Sequence, residues 1–259
     1  MQKDLIIFDL DGTLTPSKSF MDSAMADLLL RLLEKKKVAI IGGGKYAQFK
    51  TQLLSRLPRR DGRFRSLFLF PTTASSFYRY SKTNTWKNIY ASKLSRAEKA
   101  MIRMAFRKTL RDVNYRPPEK VYGPTLEDRE TQMSFSPLGQ EIVTRLGKKG
   151  IRMKVVWKKK NDALRLRIAK LLGKRLPRLE VRVGGITTID ITRKGIDKAY
   201  GVRQIKKTLR TPISKMLFIG DALYRGGNDA AAKKTGIDCV AVKGPAETKK
   251  IIRRLLATA

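Results

Sequence analysis

The sequence predicts an α/β fold: a Rossmann-like parallel sheet with helices on its faces and an α+β module inserted between its two halves. Three short apolar segments, Leu5–Phe8, Val38–Ile41 and Met216–Ile219, are each followed by acids or glycines, the pattern of buried parallel strands that end at a ligand site. Between the last two lies a long stretch in which helical patterns alternate with strand pairs, which is typical of a separate α+β module.

Residues 5–41 form one β–α–β unit in this interpretation. A helix is predicted within Met21–Lys37 because four apolar residues recur there at helical spacing: Met25, Leu28, Leu29 and Leu32. In an open parallel sheet the carboxyl ends of the strands converge on the ligand site. We therefore expect Asp9, Asp11, Gly42–Gly44 and Asp221 to gather at one edge.

The inserted module is predicted to occupy residues 82–188, which leaves 1–81 and 189–259 as the two halves of the core. Its predicted elements are helices over Leu94–Val113 and Asn161–Leu172, extended chain over Lys120–Gly139 broken by a turn near Asp128–Glu130, and strands over Leu179–Val183 and Ile186–Thr192. After the module, Asp197 is expected to cap a helix, and a further helix is expected around residues 226–236.

The composition limits the choice of partners. The chain has 57 Lys and Arg, 22 Asp and Glu, no histidine and one cysteine, Cys239, for a net charge of +35. Such a charge attracts polyanions, and we expect weak, non-specific nucleic-acid binding. No apolar run is long enough to span a bilayer, and the first residues lack the pattern of a secretory signal, so a cytoplasmic protein without a membrane span is expected.

The scarce acids at the strand ends suit phosphate-ester chemistry, which needs a nucleophile, a cation and a proton donor. Asp9 is a candidate nucleophile that would form an aspartyl-phosphate. Asp11 is the candidate proton donor and acceptor, since the chain has no histidine for that role. Mg²⁺ is commonly held by one or two carboxylates, and Asp9 and Asp221 fit that need, with Asp229 beside them.

Three stretches resemble motifs of the haloacid dehalogenase superfamily: "DLDGTLT" (Asp9–Thr15), "DK" (Asp197-Lys198) and "GDALYRGGND" (Gly220–Asp229). Their order around the insertion is similar to the branch with a large α+β cap, and especially to eukaryotic-type phosphomannomutases. The resemblance implies a nucleophile at Asp9, an acid/base at Asp11, a cation at Lys198 that holds Asp9 and the phosphate, and a possible homodimer through the cap. It also implies a Mg²⁺ site, for which the candidate ligands are Asp9, Asp11, Asp221 and Asp229.

In the module, "EDRETQMSFSPLG" resembles the phosphomannomutase stretch that offers an arginine to the sugar phosphate, and that arginine falls on Arg129. "TIDI" resembles the stretch that contacts sugar hydroxyls, which falls on Thr188 and Asp190. The backbone N–H groups of Gly43 and Gly44 are further candidates for substrate binding, as hydrogen-bond donors to the phosphate.

Two departures from the family pattern decide between activities. The second superfamily motif normally supplies a hydroxyl, whereas this chain has Gly42–Gly44, so weaker phosphate binding is expected. A second arginine of the phosphomannomutases is replaced by Gln140, which favours a Mg²⁺-dependent phosphatase of a small phosphorylated metabolite, specifically a sugar phosphate. The alternatives are a phosphomannomutase and a basic, non-enzymatic polyanion-binding protein on the same fold.

Overall fold

The computed structural model describes residues 3–258. The chain divides into two compact units, one made of Met1–Ala91 with Ile196–Ala259 and the other of Ser92–Gly195. The inserted unit starts and ends later in the chain than the predicted segment 82–188. The reason at its start is a strand, Trp86–Ala91, that pairs with the sheet of the first unit.

The first unit is an α/β structure, as the sequence predicted. Its strands are β1 (Leu5–Asp9), β2 (Lys37–Ile41), β3 (Leu67–Phe70), β4 (Ser76–Tyr80), β5 (Trp86–Ala91), β10 (Met216–Gly220) and β11 (Asp238–Ala241). Its helices are α1 (Ser23–Lys35), α2 (Tyr46–Gln52), the short turn α3 (Pro71–Ala74), α6 (Lys198–Leu209) and α7 (Pro245–Ala257).

The seven strands form one sheet in the order β11-β10-β1-β2-β3-β4-β5. The strands from β11 to β3 are parallel, and the hairpin of β4 and β5 adds an antiparallel edge. Phe8 of β1 lies opposite Ile219 of β10 in this register. Asp9 and Asp221 therefore emerge side by side from neighbouring strands, at the switch point where an open α/β sheet binds its ligand.

Helices cover both faces of this sheet. On one face α1 and α7 pack against each other, and the apolar stripe of α1 lies in the same core as Ile6, Phe8 and Ile40. On the other face α6 contributes Val202 and Ile205 to a second core with Ile7 and Phe218. Burial of both faces explains why the three strands predicted from the sequence are continuous apolar runs.

The second unit is an antiparallel sheet with two helices. Its elements are α4 (Arg96–Asp112), β6 (Leu126–Asp128), β7 (Met133–Phe135), α5 (Ile142–Arg175), β8 (Leu179–Gly184) and β9 (Thr188–Arg193). The sheet order is β6-β7-β9-β8. Ile102 and Phe106 of α4 and Ile168 of α5 share a core with Met133 and Ile189 of the sheet. The helices thus cover one face of the sheet.

Some local predictions differ from the structure. Helix α5 begins at Ile142, well before the predicted Asn161, and has non-helical backbone at Gly147 and at Asn161. A polar, glycine-containing first half hides the helical period there. The segment expected as a helix around 226–236 contains only a 3₁₀ turn, Ala230–Thr235. No helix among residues 3–258 is long and apolar enough to cross a membrane.

Candidate active site

Three carboxylates meet at the carboxyl edge of the parallel sheet. Asp9 is the last residue of β1, Asp221 directly follows β10, and Asp229 lies at the end of the loop that Asp221 begins. One oxygen from each lies within 4.8 Å of the other two. Asp9 and Asp229 are buried, and Asp221 is partly exposed. The structure thus brings together three of the four predicted metal ligands.

Two glycines let these carboxylates approach one another. Gly12 has a positive φ of 88°, and a Cβ at this position would collide with the Asp221 carboxylate. A Cβ on Gly220 would collide with the carboxylate of Asp229. Glycine tolerates both the left-handed backbone and the close contact. Gly12 of "DLDGTLT" and Gly220 of "GDALYRGGND" are therefore required by the packing of the carboxylates themselves.

Lys198 is the cation of this cluster. Asp197 caps α6 by accepting a hydrogen bond from the Tyr200 N–H (2.8 Å), as predicted, and this places Lys198 at the first residue of the helix. The Lys198 ammonium donates to Oδ1 of Asp9 and to the carbonyl of Ile41 (3.1 Å), and lies 3.0 Å from Oδ1 of Asp229. Its side chain is only 2% exposed, so it is a fixed charge rather than a surface lysine.

The cluster carries more negative than positive charge, and its pKa values show this. Burial raises the pKa of Asp9, Lys198 counteracts that rise, and Asp229 and Asp221 add to it. Burial would lower the pKa of Lys198, but the carboxylates of Asp229 and Asp9 raise it above its ordinary value. Burial and the neighbouring Asp229 raise the pKa of Asp221. Asp9 and Asp221 therefore resist ionisation for lack of a further cation.

The geometry fits a small divalent cation. With all three carboxylates ionised, the cluster and its one ammonium would carry a net charge of two negatives. Oδ1 of Asp229 is fully buried and lies 3.0 Å from the Lys198 ammonium, which also donates to Asp9. Buried carboxylates that outnumber the cations beside them are costly. Oxygen donors of this kind are those that Mg²⁺ prefers.

Asp11, the fourth predicted ligand, lies outside this group. Its Oδ1 accepts hydrogen bonds from the backbone N–H of Lys18 (2.5 Å) and from the side-chain amide of Gln52 (3.1 Å). Gln52 is buried at the end of α2, and no sequence motif pointed to it. The two bonds fix the orientation of the Asp11 carboxylate, which suits a proton donor and acceptor better than a metal ligand.

The glycine loop after β2 lies at the same edge of the sheet. The Gly42 N–H donates to the carbonyl of Phe70 (3.3 Å), so it is already used in the fold. A Cβ on Gly42 would lie 3.3 Å from both Leu10 and Phe49, whereas a Cβ on Gly43 would have no atom within 4 Å. Gly43 is partly exposed and Gly44 is buried. Of the three positions, Gly43 is the one at which a side chain has room.

A left-handed turn supports this loop from β3. Thr72, Thr73 and Ala74 have φ values of 48°, 56° and 63°, which is unusual for residues with a Cβ and especially for β-branched threonine. Two hydrogen bonds of 2.9 Å join the turn to the loop, from the Thr72 N–H to Gly44 and from the Thr73 N–H to Gly42. Strain of this kind concentrates at functional sites.

The predicted sugar-binding residues lie in the second unit and belong to a hydrogen-bonded network. Arg129 is buried, with its Nε 2.8 Å from Oε2 of Glu127 and its Nη2 donating to Oε1 of Gln140 (3.1 Å). The Gln140 amide donates in turn to the carbonyl of Ser134 (2.8 Å), and the Ser134 hydroxyl donates to Asp190 (2.6 Å). Arg129 and Asp190 are thus connected, and Gln140 joins them.

This network extends along one face of the antiparallel sheet. Glu127, Ser134, Asp190 and Arg182 are direct cross-strand neighbours on β6, β7, β9 and β8. We name these four residues the polar row. Thr188 lies two residues before Asp190 and bonds the carbonyl of Gly184 (2.5 Å). The row alternates acceptors and donors, which suits a ligand with several hydroxyl groups.

Four residues of these sites were not predicted from the sequence: Gln52, Ser134, Glu127 and Arg182. Alternation along "LEDRE" places Glu127 and Arg129 on one face of β6, which was a usable signal. Ser134 and Arg182 join the row only through the register between strands, and a single sequence does not specify that register.

Sequence comparisons match this chain to one protein family. Residues 25–258 match the family model described as eukaryotic phosphomannomutase; the match includes Lys198, Asp221 and Asp229 and begins after Asp9 and Asp11. A phosphomannomutase of Encephalitozoon cuniculi (strain GB-M1) is 27% identical over 88% of this chain and 83% of its own length. A probable phosphomannomutase of Caenorhabditis elegans is 24% identical over 98% of this chain and 96% of its own.

Solved structures share the fold. The IMP-nucleotidase of Plasmodium falciparum, in a truncated form bound to IMP, has a TM-score of 0.67 and 17% identity, and the match covers 99% of this chain and 68% of that one. A trehalose-6-phosphate phosphatase of Aspergillus fumigatus has a TM-score of 0.54 and 16% identity, over 99% and 93% of the two chains. At these identities the likeness concerns the fold alone.

Proposed function

Because the chain belongs to the eukaryotic phosphomannomutase family, and is therefore an enzyme of the phosphatase or phosphomutase type, we propose that it is a Mg²⁺-dependent phosphatase of sugar phosphates. The reaction proceeds in two steps through a covalent aspartyl-phosphate on Asp9. The carboxylate cluster is the basis for the proposed chemistry. The ion pair of Arg129 with Glu127 is the basis for proposing a phosphatase rather than a mutase.

Asp9 is the nucleophile in this proposal. Its carboxylate attacks phosphorus, the bond to the ester oxygen breaks, and Asp11 donates the proton that the departing alcohol needs. In the second step Asp11 accepts a proton from a water molecule, whose oxygen attacks phosphorus and releases inorganic phosphate from Asp9. Gln52 and the Lys18 N–H keep the Asp11 carboxylate oriented for both transfers.

Lys198 orients the nucleophile and balances part of its charge. Since its ammonium contacts both Asp9 and Asp229 and is buried, it also stabilises the negative charge of a bound phosphate at short range. Asp9, Asp221 and Asp229 are the residues that would hold Mg²⁺. When bound, Mg²⁺ supplies two positive charges that offset the repulsion between the phosphate and the carboxylates.

The single observation that favours a phosphatase is that Arg129 is already neutralised. A mutase must hold a bisphosphorylated sugar in two orientations and needs cations for its second phosphate. Here the guanidinium of Arg129 pairs with Glu127 and bonds Gln140, which stands where a second family arginine is expected. A phosphate would have to displace both partners from a buried charge, and that exchange costs free energy.

Phosphomannomutase activity is the second candidate, and the named relatives favour it. The two activities are separated by incubating the protein with mannose 1-phosphate, Mg²⁺ and a sugar bisphosphate and following the products. We expect free phosphate and mannose in excess of mannose 6-phosphate. Accumulation of mannose 6-phosphate without phosphate release would reverse the ranking, and no turnover of any phosphate ester would favour a non-enzymatic role.

A matched pair of variants tests whether neutralisation of Arg129 by Glu127 favours phosphatase over mutase activity. Glu127→Gln keeps the shape of the side chain but removes the charge that neutralises Arg129. If this charge limits phosphotransfer between sugars, the variant forms a several-fold larger share of mannose 6-phosphate than the original protein does. Asp128→Asn, which removes a nearby charge that contacts Lys99 instead, is the control and should leave the ratio of products unchanged.

A further inference from the structure

The positive charge of the second unit is concentrated on its two helices. That unit has 27 Lys and Arg against 10 Asp and Glu, and α4 and α5 alone hold 19 of the basic residues and 3 of the acids. The net charge of +17 is therefore almost all helical, with +16 on α4 and α5. The rest of the unit, which includes the sheet with its polar row, is nearly balanced.

The acids on these helices do not neutralise the exposed basic residues. Glu98 pairs with Arg193, Asp112 with Arg175, and Asp162 with Arg165. All three partners are partly or fully buried. Of the exposed basic side chains, Arg145 pairs with Glu141 and Arg103 lies 4.0 Å from Asp128, two acids outside these helices. The fourteen exposed basic side chains are Arg96, Arg103, Arg107, Lys108 and Arg111 on α4, and Arg145, Lys148, Lys149, Arg152, Lys159, Lys160, Arg167, Lys170 and Lys174 on α5.

Part of this set forms two rows on adjacent helices. Arg96, Arg103, Arg107 and Arg111 are spaced by 7, 4 and 4 residues, which keeps them on one side of α4 over about 22 Å. Arg167, Lys170 and Lys174 are spaced by 3 and 4 residues, which likewise keeps them on one side of α5. We name these seven residues the basic helical face.

The two rows lie side by side because the helices pack together. Ile102 and Phe106 of α4 share a core with Ile168 and Leu172 of α5, and Arg175 bonds the Thr109 hydroxyl at 3.1 Å. Packed helix axes lie about 8–10 Å apart. That distance is similar to the widths of the grooves of a nucleic-acid duplex, about 6–12 Å, so the rows can contact phosphates on both sides of one groove.

We propose that the basic helical face binds the phosphate backbone of duplex nucleic acid without sequence preference. Five of its seven residues are arginines, whose guanidinium groups bind phosphate through two parallel hydrogen bonds. No aromatic ring of the second unit is among the exposed large apolar side chains of residues 3–258, so base stacking of a single strand has no platform there.

A membrane surface fits this face less well than a duplex does. Helices that lie on membranes insert a continuous apolar side rich in Trp, Phe and Leu. The apolar sides of α4 and α5 are instead used in the core with the sheet. Among residues 3–258, the large apolar side chains exposed on α4 and α5 are scattered: Met101, Met104, Val155, Val156 and Leu166, with no aromatic ring among them.

Charge reversal with a matched control tests the proposal. One variant combines Arg96→Glu, Arg103→Glu, Arg107→Glu and Arg111→Glu. The control combines Lys206→Glu, Lys207→Glu, Lys250→Glu and Arg253→Glu, four exposed residues of α6 and α7 in the first unit. Both variants lower the net charge by the same amount, so only a localised surface can distinguish them.

Binding of a labelled 20-base-pair DNA duplex is measured by fluorescence anisotropy between 50 and 200 mM salt. In the α4 variant, loss of four phosphate contacts should make the negative slope of log K against log salt shallower by about 3.6 and weaken binding at least about 100-fold. The control variant should lose affinity several-fold at most. Equal losses in both variants would overturn the proposal in favour of diffuse charge. Unchanged binding in the α4 variant would overturn it as well.

Two further measurements complete the test. Vesicles containing phosphatidylserine compete with the duplex in the same assay, and tighter binding to the vesicles than to DNA would assign the face to a membrane instead. A variant with the same four arginines changed to glutamine should show about half the loss of affinity on a logarithmic scale and less risk of misfolding. The thermal melting temperature and the circular dichroism of each variant verify that the unit remains folded.

Discussion

The carboxylate cluster of the first unit and the polar network of the second differ in how their charges are balanced. Asp9, Asp221 and Asp229 have one ammonium beside them, that of Lys198, and Asp9 and Asp221 resist ionisation. In the second unit, by contrast, Arg129 pairs with Glu127 and the Asp190 carboxylate accepts from Ser134. The first region has one cation for three carboxylates, whereas the charges of the second are already paired by protein groups.

This contrast indicates a division of labour. A site with uncompensated negative charge gains from binding a metal ion and a phosphate together, because each offsets the charge of the other. A network that satisfies its own charges has little free energy to gain from a second phosphate, but it can exchange hydrogen bonds with neutral hydroxyl groups. Substitutions in each region should therefore have different consequences.

The largest effect is expected from Asp9→Asn. The amide keeps the shape of the carboxylate but cannot attack phosphorus, so turnover of the best sugar phosphate should fall by roughly 10⁴-fold or more. Lys198 also loses one of its two carboxylate partners and keeps Asp229. Phosphate release under saturating Mg²⁺ measures the effect, and a variant that keeps most of its activity would refute the role of Asp9.

Asp11→Asn should lower turnover by about 10²–10⁴-fold, which is the usual contribution of a general acid or base. Because Asp11 lies outside the cluster, Mg²⁺ affinity should change little in this variant. Acid quenching followed by phosphorus NMR detects an aspartyl-phosphate that forms or breaks down slowly. If Mg²⁺ binding is lost together with activity, Asp11 is a metal ligand after all.

Substitution by serine should improve phosphate binding at Gly43 but destabilise the fold at Gly42. Gly43→Ser places a hydroxyl where the loop has space, and we expect tighter binding of inorganic phosphate, by about 3–10-fold for one added hydrogen bond. Gly42→Ser presses against Leu10 and Phe49 and should lower the free energy of unfolding by about 1–3 kcal/mol. Calorimetry of phosphate binding and urea denaturation check the pair; tighter phosphate binding by Gly42→Ser alone would contradict the structure.

The smallest effect concerns an ion pair of the second unit. Hydrogen bonds from Arg193, and then from the Ser95 N–H, lower the pKa of Glu98 to about 2. Because this pKa lies below the unfolded value of about 4.3, the pair stabilises the fold above about pH 4.3, and the contribution disappears as the pH falls toward about 2.

The comparison of Glu98→Gln with the original protein isolates that contribution. For a pair that is partly exposed to solvent we expect a difference in unfolding free energy of about 1 kcal/mol at about pH 7, which shrinks steadily below about pH 4.3. Mg²⁺ should not alter the difference, because the pair needs no added cation. A difference that grows on acidification would contradict the assignment of the pKa shift.

The sequence predicted the parts of the molecule that local pattern controls. Buried strands are apolar runs, and the acids that follow Leu5–Phe8 and Met216–Ile219 mark the edge of the sheet at which the carboxylate cluster lies. The α+β module was harder to delimit. Its start was predicted too early because the antiparallel strand Trp86–Ala91 extends the sheet of the first unit. The start of α5 was predicted too late because the first half of this helix lacks a clear helical period.

The remaining features depend on contacts between distant residues. The bond from Gln52 to Asp11 joins side chains 41 positions apart, and Ser134 meets Asp190 only through strand register. Likewise, the loss of the motif-two hydroxyl was visible in the sequence, but the difference between Gly42 and Gly43 is a matter of packing against Phe49. A single sequence carries no direct signal of such contacts.

Titration calorimetry with Mg²⁺ on the substrate-free protein tests the contrast between the two regions most directly. The structure predicts one binding site per chain, abolished by Asp221→Asn and by Asp229→Asn. Asp190→Asn, a change of a carboxylate in the second unit, should leave Mg²⁺ binding unaltered. Absence of a Mg²⁺ site in the original protein, or binding that survives both cluster variants, would show that the cluster is not built to receive a cation.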